Sequence, residues 1–129
     1  KLNHLAQEAF NARSKKQMHR QRHIVRQIDQ YIAEHLSGDL SLTAIADALH
    51  FHPTYISRVY RECSSVSFSD SIAQSRLKKA CSLLSETDQS IASIAEQTGF
   101  NTANYFARWF RKWMGCTAQE YRERSRDHA

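Results

Sequence analysis

One segment of this chain occurs twice, and this internal repeat constrains the fold more than any other feature of the sequence. Residues 41–47 align with residues 90–96 at a spacing of 49, and Phe51 aligns with Phe100. After a shift of one residue, 56–61 aligns with 106–111 at a spacing of 50. Each copy reads as a short helix, a tight turn and a longer helix, which is the helix-turn-helix pattern.

The composition favours an all-α fold around this repeat. The 129 residues include only three Gly and one Pro, too few for a β protein with many turns, and 41% are hydrophobic, which is enough for a core. Ser41, Ser90 and Thr117 are predicted N-caps, and Gly115 is predicted to end a helix. Apolar spacing predicts seven helices, over about 22–36, 42–49, 53–64, 68–85, 91–97, 102–114 and 117–126.

The two longer helices of the repeat each carry one apolar and one polar face. The apolar stripes, spaced i, i+3, i+4, i+7, are predicted to be buried. They are Ile56, Val59, Tyr60 and Cys63 in one helix and Phe106, Trp109, Phe110 and Trp113 in the other. The opposite stripes, spaced in the same way, are Thr54, Ser57, Arg58 and Arg61, and Asn104, Ala107, Arg108 and Arg111.

These polar stripes contain arginines and short side chains but no acid. An ordinary solvated helix face is the alternative, but such faces normally mix Glu with Lys, and here the same pattern occurs twice behind the same capped helix. A face of this kind suits a groove lined by phosphates and base edges. The repeat therefore predicts two nucleic-acid-reading helices.

Positive charge is concentrated at the start of the chain. The net charge is +5, yet residues 1–26 carry seven basic residues and one acid, whereas the remainder carries 11 basic and 12 acidic residues. Residues 1–21 are interpreted as a basic connector from a missing upstream domain; the alternative is a disordered basic tail. A short helix there would carry its apolar stripe on Leu2, Leu5, Ala9 and Phe10.

Residues 22–129 are predicted to form the domain itself. Its first helix-turn-helix covers about 41–64, a linker helix about 68–85, and the second helix-turn-helix about 90–114. A linker of that length spans about 27 Å at 1.5 Å per residue, comparable with the roughly 34 Å between successive major-groove faces. Arg76, Lys78 and Lys79 lie on or beside this linker, where phosphate contact and local ion pairing are both open.

Residues 24–124 resemble the AraC/XylS family of transcription regulators. The second half of the match is the more specific, because a whole ordered run agrees. The matching segments are Ser41-Leu42-x2-Ile45-Ala46, Tyr55-Ile56-Ser57-Arg58-x-Tyr60-Arg61, Arg76-Leu77-x2-Ala80-x2-Leu83-Leu84, Ile91-x2-Ile94-Ala95-x3-Gly99-Phe100, Tyr105-Phe106-x-Arg108-x-Phe110-Arg111-Lys112-x2-Gly115 and Tyr121-Arg122.

The resemblance implies a seven-helix domain with two recognition helices joined by a rigid linker helix. It also implies a bacterial, cytoplasmic regulator whose outward residues read DNA. Two positions depart from the family pattern. Ser65 stands where Gly usually closes the first recognition helix in a left-handed cap, and Ala118 stands where Pro usually begins the last helix. The basic leader is similar to the connector of members with a phosphoacceptor receiver, although a small-molecule-binding β domain is more usual there.

The expected partner is double-stranded DNA at a promoter operator. Arg58 and Arg108 are expected to contact base edges, guanine being the usual partner of a bidentate Arg. Hydrogen bonds or thymine-methyl contacts are expected from Thr54, Ser57, Asn104 and Ala107, and phosphate contacts from Arg61, Arg111 and Lys112. RNA polymerase is a further expected partner. Whether the full-length protein dimerises through the missing N-terminal region is left open by the sequence.

Other classes of site have little support. Cys63, Cys81 and Cys116 form no CxxC pair, which speaks against a disulfide framework or zinc site and fits a reducing cytoplasm. His50 and His52 lack further metal ligands in sequence reach. No facing pair of acids, phosphate-binding loop, signal peptide or membrane span is visible. We therefore expect neither enzymatic activity nor a metal or cofactor, and no membrane contact.

The rival class is a protein-interaction module. In that reading the same helical domain carries an inactive DNA face and docks RNA polymerase or another regulator. RNA binding is a third possibility, but it would require preference for single-stranded loops, which paired helices of this kind do not favour.

Overall fold

The computed structural model describes the backbone of residues 2–127 and the side chains of residues 14–127. Helices are the only regular elements in this part of the chain, so the predicted all-α class is confirmed. The bounds of the last six lie within one residue of the predictions. The seven helices are α1 (Leu2–Glu34), α2 (Leu42–Leu49), α3 (Pro53–Cys63), α4 (Phe68–Glu86), α5 (Ile91–Gln97), α6 (Ala103–Met114) and α7 (Ala118–Asp127).

Helix α1 is longer than the sequence pattern predicted. It begins at Leu2 instead of near residue 22 and ends at Glu34 instead of near residue 36. No Gly or Pro interrupts this stretch, and Gln, Lys, Arg and Ala are good helix formers, so the helix continues through the polar leader. The predicted stripe of Leu2, Leu5, Ala9 and Phe10 lies outside the described side chains, and the role of residues 1–21 stays a prediction.

The chain divides into two units, the first made of α1 up to Tyr31 together with Ser41–Phe68. The Tyr60 hydroxyl donates a 2.8 Å hydrogen bond to the Asp29 carboxylate, which ties α3 to α1. Helix α2 contacts α3. The buried apolar residues of this unit are Ile24, Ile28, Ile45, Ala46, Ile56, Val59 and Tyr60.

The second unit consists of Ile32–Leu40 and the residues from Ser69 onward. Helix α6 contacts both α5 and α7. Its aromatic side chains Phe106 and Phe110 are fully buried. They belong to a core that also contains Ala80, Leu83, Leu84, Ile94, Ala95, Phe100 and Ala118.

The turns of the two helix-turn-helix units have the same hydrogen bonding. Phe51 N–H donates to the Ala46 carbonyl, and Phe100 N–H donates to the Ala95 carbonyl, both at 2.9 Å. The residue before each Phe has a left-handed backbone, with φ of 62° at His50 and 92° at Gly99. The repeat seen in the sequence is therefore also a repeat in backbone geometry, with histidine in one copy where the other has glycine.

His50→Gly is expected to stabilise the first unit. A left-handed residue with a Cβ is strained by about 1–2 kcal/mol, and glycine removes that strain while increasing the entropy of the unfolded chain. The expected net gain in free energy of unfolding is about 0.5 kcal/mol, measured by urea denaturation. Ala48→Gly, in the exposed last turn of α2, is the control and should destabilise the protein. Equal losses in both variants would contradict strain at His50.

Two local predictions were wrong. Trp113 is 48% exposed rather than buried: it lies in the last turn of α6 and packs on the half-buried Trp109, at 6.2 Å between ring centroids. Ser65 is not left-handed: α3 ends with Ser64 in an extended conformation, and the Ser64 hydroxyl accepts the Val66 N–H at 3.3 Å. That arrangement closes the helix without a residue of positive φ.

Candidate nucleic-acid interface

Side-chain hydrogen bonds cap the N-termini of α2 and α3. The Ser41 hydroxyl accepts the Ala44 N–H at 3.2 Å, which confirms the predicted cap of α2. Helix α3 begins with Pro53 and is capped by His52, whose Nδ1 accepts the Thr54 N–H at 3.2 Å. His52 therefore serves as a helix cap and not only as a turn residue.

The predicted reading residues of α3 lie together on one open surface. Thr54, Ser57, Arg58 and Arg61 line a single hollow of about 350 Å³ with Leu42 and Pro53. Thr54, Arg58 and Arg61 are exposed, and Ser57 is half-buried. The same helix buries Ile56, Val59 and Tyr60. The two faces of α3 are thus separated as predicted.

The single acid of α3 lies away from this hollow. Glu62 borders a different hollow with Gln21 and Arg22 of α1. The hollow that Arg58 lines is bordered by uncharged and basic side chains only. An anionic ligand would meet no carboxylate in the hollow that Arg58 lines.

Helix α6 presents a second surface of the same character. It is capped by Thr102, whose hydroxyl accepts the Tyr105 N–H at 3.0 Å, and it ends at the left-handed Gly115. The helix contains no acidic residue. The predicted contact residues Asn104, Ala107, Arg108, Arg111 and Lys112 are all exposed.

The cations of both surfaces are not neutralised locally. Among the described residues, ion pairs join Arg124 to Glu120 and Arg126 to Asp88, and neither involves α3 or α6. Thr117 hydrogen bonds hold the pKa of Glu120 below its ordinary value, and Arg124 and Arg111 act more weakly in the same direction. Arg111 therefore interacts electrostatically with the Glu120 carboxylate. Arg58 and Arg108 stay available for an external anion.

Two tyrosines lie at the starts of these helices, and the contact of Tyr55 with Arg58 was not predicted from the sequence. Tyr55 and Tyr105 occupy the first turns of α3 and α6, and Tyr105 is 56% exposed. The Arg58 guanidinium lies over the Tyr55 ring, 5.5 Å from its centroid. The two tyrosines align at the spacing of 50 that relates the repeats, and this alignment could have identified them from the sequence.

Arg76 of α4 is partly withdrawn from solvent. Its guanidinium lies 5.4 Å from the Phe100 ring centroid, and its buried Nε has no hydrogen-bond partner. Burial lowers the pKa of this guanidinium, and Tyr105 acts in the opposite direction. No described carboxylate pairs with Arg76, Lys78 or Lys79, so the local ion pairing left open by the sequence is not observed.

Within the part of the chain that the structure describes, the cysteines are unpaired and the potential metal ligands form no cluster. Cys63, Cys81 and Cys116 are free and half-buried, and burial raises the pKa of the Cys81 thiol, which disfavours its reactive thiolate. No group of three potential metal ligands occurs within residues 14–127. In the same part of the chain no helix is both long and apolar enough to span a membrane.

Two capped helix pairs, each presenting an exposed basic helix face without acids, define this molecule as a helix-turn-helix protein. A family model described as a helix-turn-helix domain matches residues 45–124, more than half of the chain. The chain belongs to the AraC-type helix-turn-helix family of DNA-binding transcription regulators, and the resemblance seen in the sequence is confirmed.

Relatives and solved structures agree with this assignment. Regulatory protein PocR of Salmonella typhimurium is 34% identical over 100 residues, covering 78% of this chain but only 33% of PocR. The C-terminal domain of AraT, a response regulator from Geobacillus stearothermophilus, is 39% identical over 78% of this chain and 84% of that domain, with a TM-score of 0.69. The DNA-binding domain of AdpA, solved with a target DNA, shares the fold at 21% identity, a TM-score of 0.67, and coverage of 81% and 94%.

Proposed function

We propose that this chain binds one double-stranded DNA site sequence-specifically, with α3 and α6 reading neighbouring segments of the major groove. The observation that carries the proposal is the duplicated surface: each unit presents an exposed, acid-free helix face bearing two arginines behind a capped helix. Base edges in the major groove offer the hydrogen-bond pattern that such side chains recognise.

The nine predicted contact residues of α3 and α6 are assigned to base edges or to phosphates by side-chain length and chemistry. Arg58 and Arg108, at the middle of each face, are assigned to base edges, because a planar guanidinium pairs bidentately with guanine. Thr54, Ser57, Asn104 and Ala107 supply shorter hydrogen-bonding and methyl contacts. Arg61, Arg111 and Lys112, later along their helices, are assigned to phosphates.

Arg76, Lys78 and Lys79 are assigned to phosphates as well. Lys78 and Lys79 are exposed on α4, and none of the three has a described ion-pair partner. Residues 27–129 carry about as many acids as bases. Sequence-independent affinity is therefore expected to be modest, and the basic residues 1–26 should contribute much of its salt dependence.

Arg58→Ala and Arg108→Ala are each expected to weaken binding to the cognate site by about 1–3 kcal/mol. Each variant should also relax base preference at one position, because a bidentate contact to one guanine is lost. Titration of the cognate duplex and its single-base variants gives both quantities. Arg124→Ala, which removes an exposed arginine of α7, is the control and should leave binding unchanged. Equal loss on all sequences would assign the two arginines to the backbone.

The rival function, docking of RNA polymerase or another regulator through the same helices, makes a different prediction. Selection from random duplexes followed by sequencing should enrich one asymmetric site made of two adjacent segments. Absence of enrichment even at low salt would contradict DNA reading and favour docking. Enrichment of single-stranded loops would instead indicate RNA-type recognition.

We further infer that this domain acts within a longer regulator, since it spans about a third of PocR. The 39% identity to a domain of a response regulator supports a receiver as the upstream part. The basic residues 1–21 would then connect the receiver to the DNA-binding domain. We further propose RNA polymerase contact and dimerisation through the upstream part, and co-purification with polymerase and sedimentation of the full-length protein test them.

A further inference from the structure

The two recognition helices begin with the same aromatic pair in nearly the same geometry. Tyr55 packs on Phe51 with 5.8 Å between ring centroids and 37° between planes. Tyr105 packs on Phe100 at 5.7 Å and 38°. Each Phe is anchored in its turn by a backbone hydrogen bond, so each tyrosine packs on an anchored phenylalanine.

The units differ in which arginine the aromatic pair holds. In the first unit, Arg58 itself lies over Tyr55, at 5.5 Å from its centroid. In the second unit, Phe100 holds Arg76 of α4 at 5.4 Å instead. Among the described side chains, Arg108 lies over no aromatic ring. The repeat is therefore symmetric in its aromatic residues and asymmetric in the arginine proposed to read bases.

We propose that Tyr55 is a positioning residue that orients Arg58 before DNA binds, so that α3 discriminates between bases more sharply than α6. This rests on the proposed role of Arg58 in base reading. A guanidinium within about 6 Å of a ring centroid is attracted to the ring face. The stack restricts a long and otherwise mobile side chain, so less conformational entropy is lost when Arg58 meets a base edge.

The consequence is a difference in selectivity between the two arginines. An exposed stack of this kind is expected to be worth about a two- to five-fold preference for the oriented side chain. We expect the advantage to apply to the base that the oriented guanidinium matches, because Arg58 would have to adopt a less favoured conformation to contact another base. Tyr55 should therefore affect discrimination at one base position more than overall affinity.

The free protein tests the positioning without any DNA. Relaxation of the Arg Nε–Hε groups, measured by NMR, is expected to show Arg58 more ordered than Arg108 in the wild type. Tyr55→Leu should lower the order of Arg58 to the level of Arg108, whereas Tyr55→Phe, which keeps the ring, should preserve it. Equal order of the two arginines in the wild type, or no change in Tyr55→Leu, would overturn the proposal.

Binding to a selected duplex tests the selectivity, with Tyr105→Leu as the matched control. Both leucine variants lose the same packing on a phenylalanine, but only Tyr55→Leu loses a stacked arginine. We expect about a two- to five-fold loss of discrimination at the Arg58 position in Tyr55→Leu, and none at the Arg108 position in Tyr105→Leu. Equal losses in both, or none in either, would overturn the proposal.

The two readouts also separate this proposal from the proposed function. If Arg58→Ala changes the base preference of the wild type at no position of the duplex, Arg58 does not read bases. The NMR measurement would still decide whether Tyr55 holds the arginine, because it needs no DNA. Urea denaturation of the Tyr55 and Tyr105 variants establishes that each remains folded under the binding conditions.

Discussion

Gly99→Ala is expected to destabilise the protein by about 3–5 kcal/mol. Two effects add at this position. The backbone of Gly99 has a φ of 92°, which strains any residue with a Cβ. A Cβ there would also overlap the Leu36 carbonyl oxygen and come within 3.3 Å of an Arg76 nitrogen. The carbonyl belongs to the backbone, so it cannot be moved aside as a flexible side chain could.

The other two glycines separate these effects. Gly115 has a φ of 74°, and a Cβ at this residue would meet no neighbouring atom within 4 Å, so Gly115→Ala should cost only the backbone strain, about 1–2 kcal/mol. At Gly38 a Cβ would make an ordinary 3.5 Å contact with the His35 carbonyl, and Gly38→Ala should change stability by less than about 0.5 kcal/mol. Urea denaturation of the three variants should give this order. A loss at Gly99 no larger than that at Gly115 would contradict the close approach.

Arg122→Met is expected to destabilise the protein by about 2–4 kcal/mol. Arg122 is 9% exposed and donates to three backbone carbonyls: Nε to Leu84 at 3.0 Å, and a terminal nitrogen to Thr87 at 3.2 Å and Gln89 at 2.6 Å. The Leu84 carbonyl belongs to the last turn of α4, whose carbonyls have no partner within the helix. Methionine fills similar space but donates nothing, so these carbonyls lose their charged donor.

Arg126 on the same helix provides the matched control. It also donates to the Thr87 carbonyl, at 2.8 Å, and pairs with Asp88, but it is exposed. Exposed pairs contribute little, so Arg126→Met should cost about 1 kcal/mol or less. Arg122→Lys should fall between the two methionine variants, because a single ammonium group does not match the fork that reaches all three carbonyls. Similar losses at Arg122 and Arg126 would contradict the capping role of Arg122.

The helical frame was predictable from the sequence because its signals are local. Ser41 and Ser90 accept backbone N–H groups as expected, and the helices that they cap begin at the predicted residues. The apolar stripes of α3 and α6 predicted Ile56, Val59, Phe106 and Phe110 as core. The polar stripes predicted the exposed face in the same way, because both repeats combine helical spacing with an acid-free set of polar side chains.

Features that depend on distant parts of the chain were not predictable. Trp113 has the right spacing for the core, but its burial depends on whether a neighbouring element covers the end of α6, and it stays 48% exposed. Arg122 looks like a surface residue of a polar helix until the carbonyls of residues 84–89 are placed beside it. Stacking of Arg58 on Tyr55 depends on side-chain rotamers, which periodicity does not encode.

We propose that both helix-turn-helix units read bases of the same duplex. Protection of guanine N7 atoms from dimethyl sulfate on a selected site tests it directly, because that atom faces the major groove and accepts from a bidentate arginine. The wild type should protect two separate groups of guanines, with Arg58→Ala exposing one group and Arg108→Ala the other. A single protected group, or protection that neither substitution changes, would contradict the account.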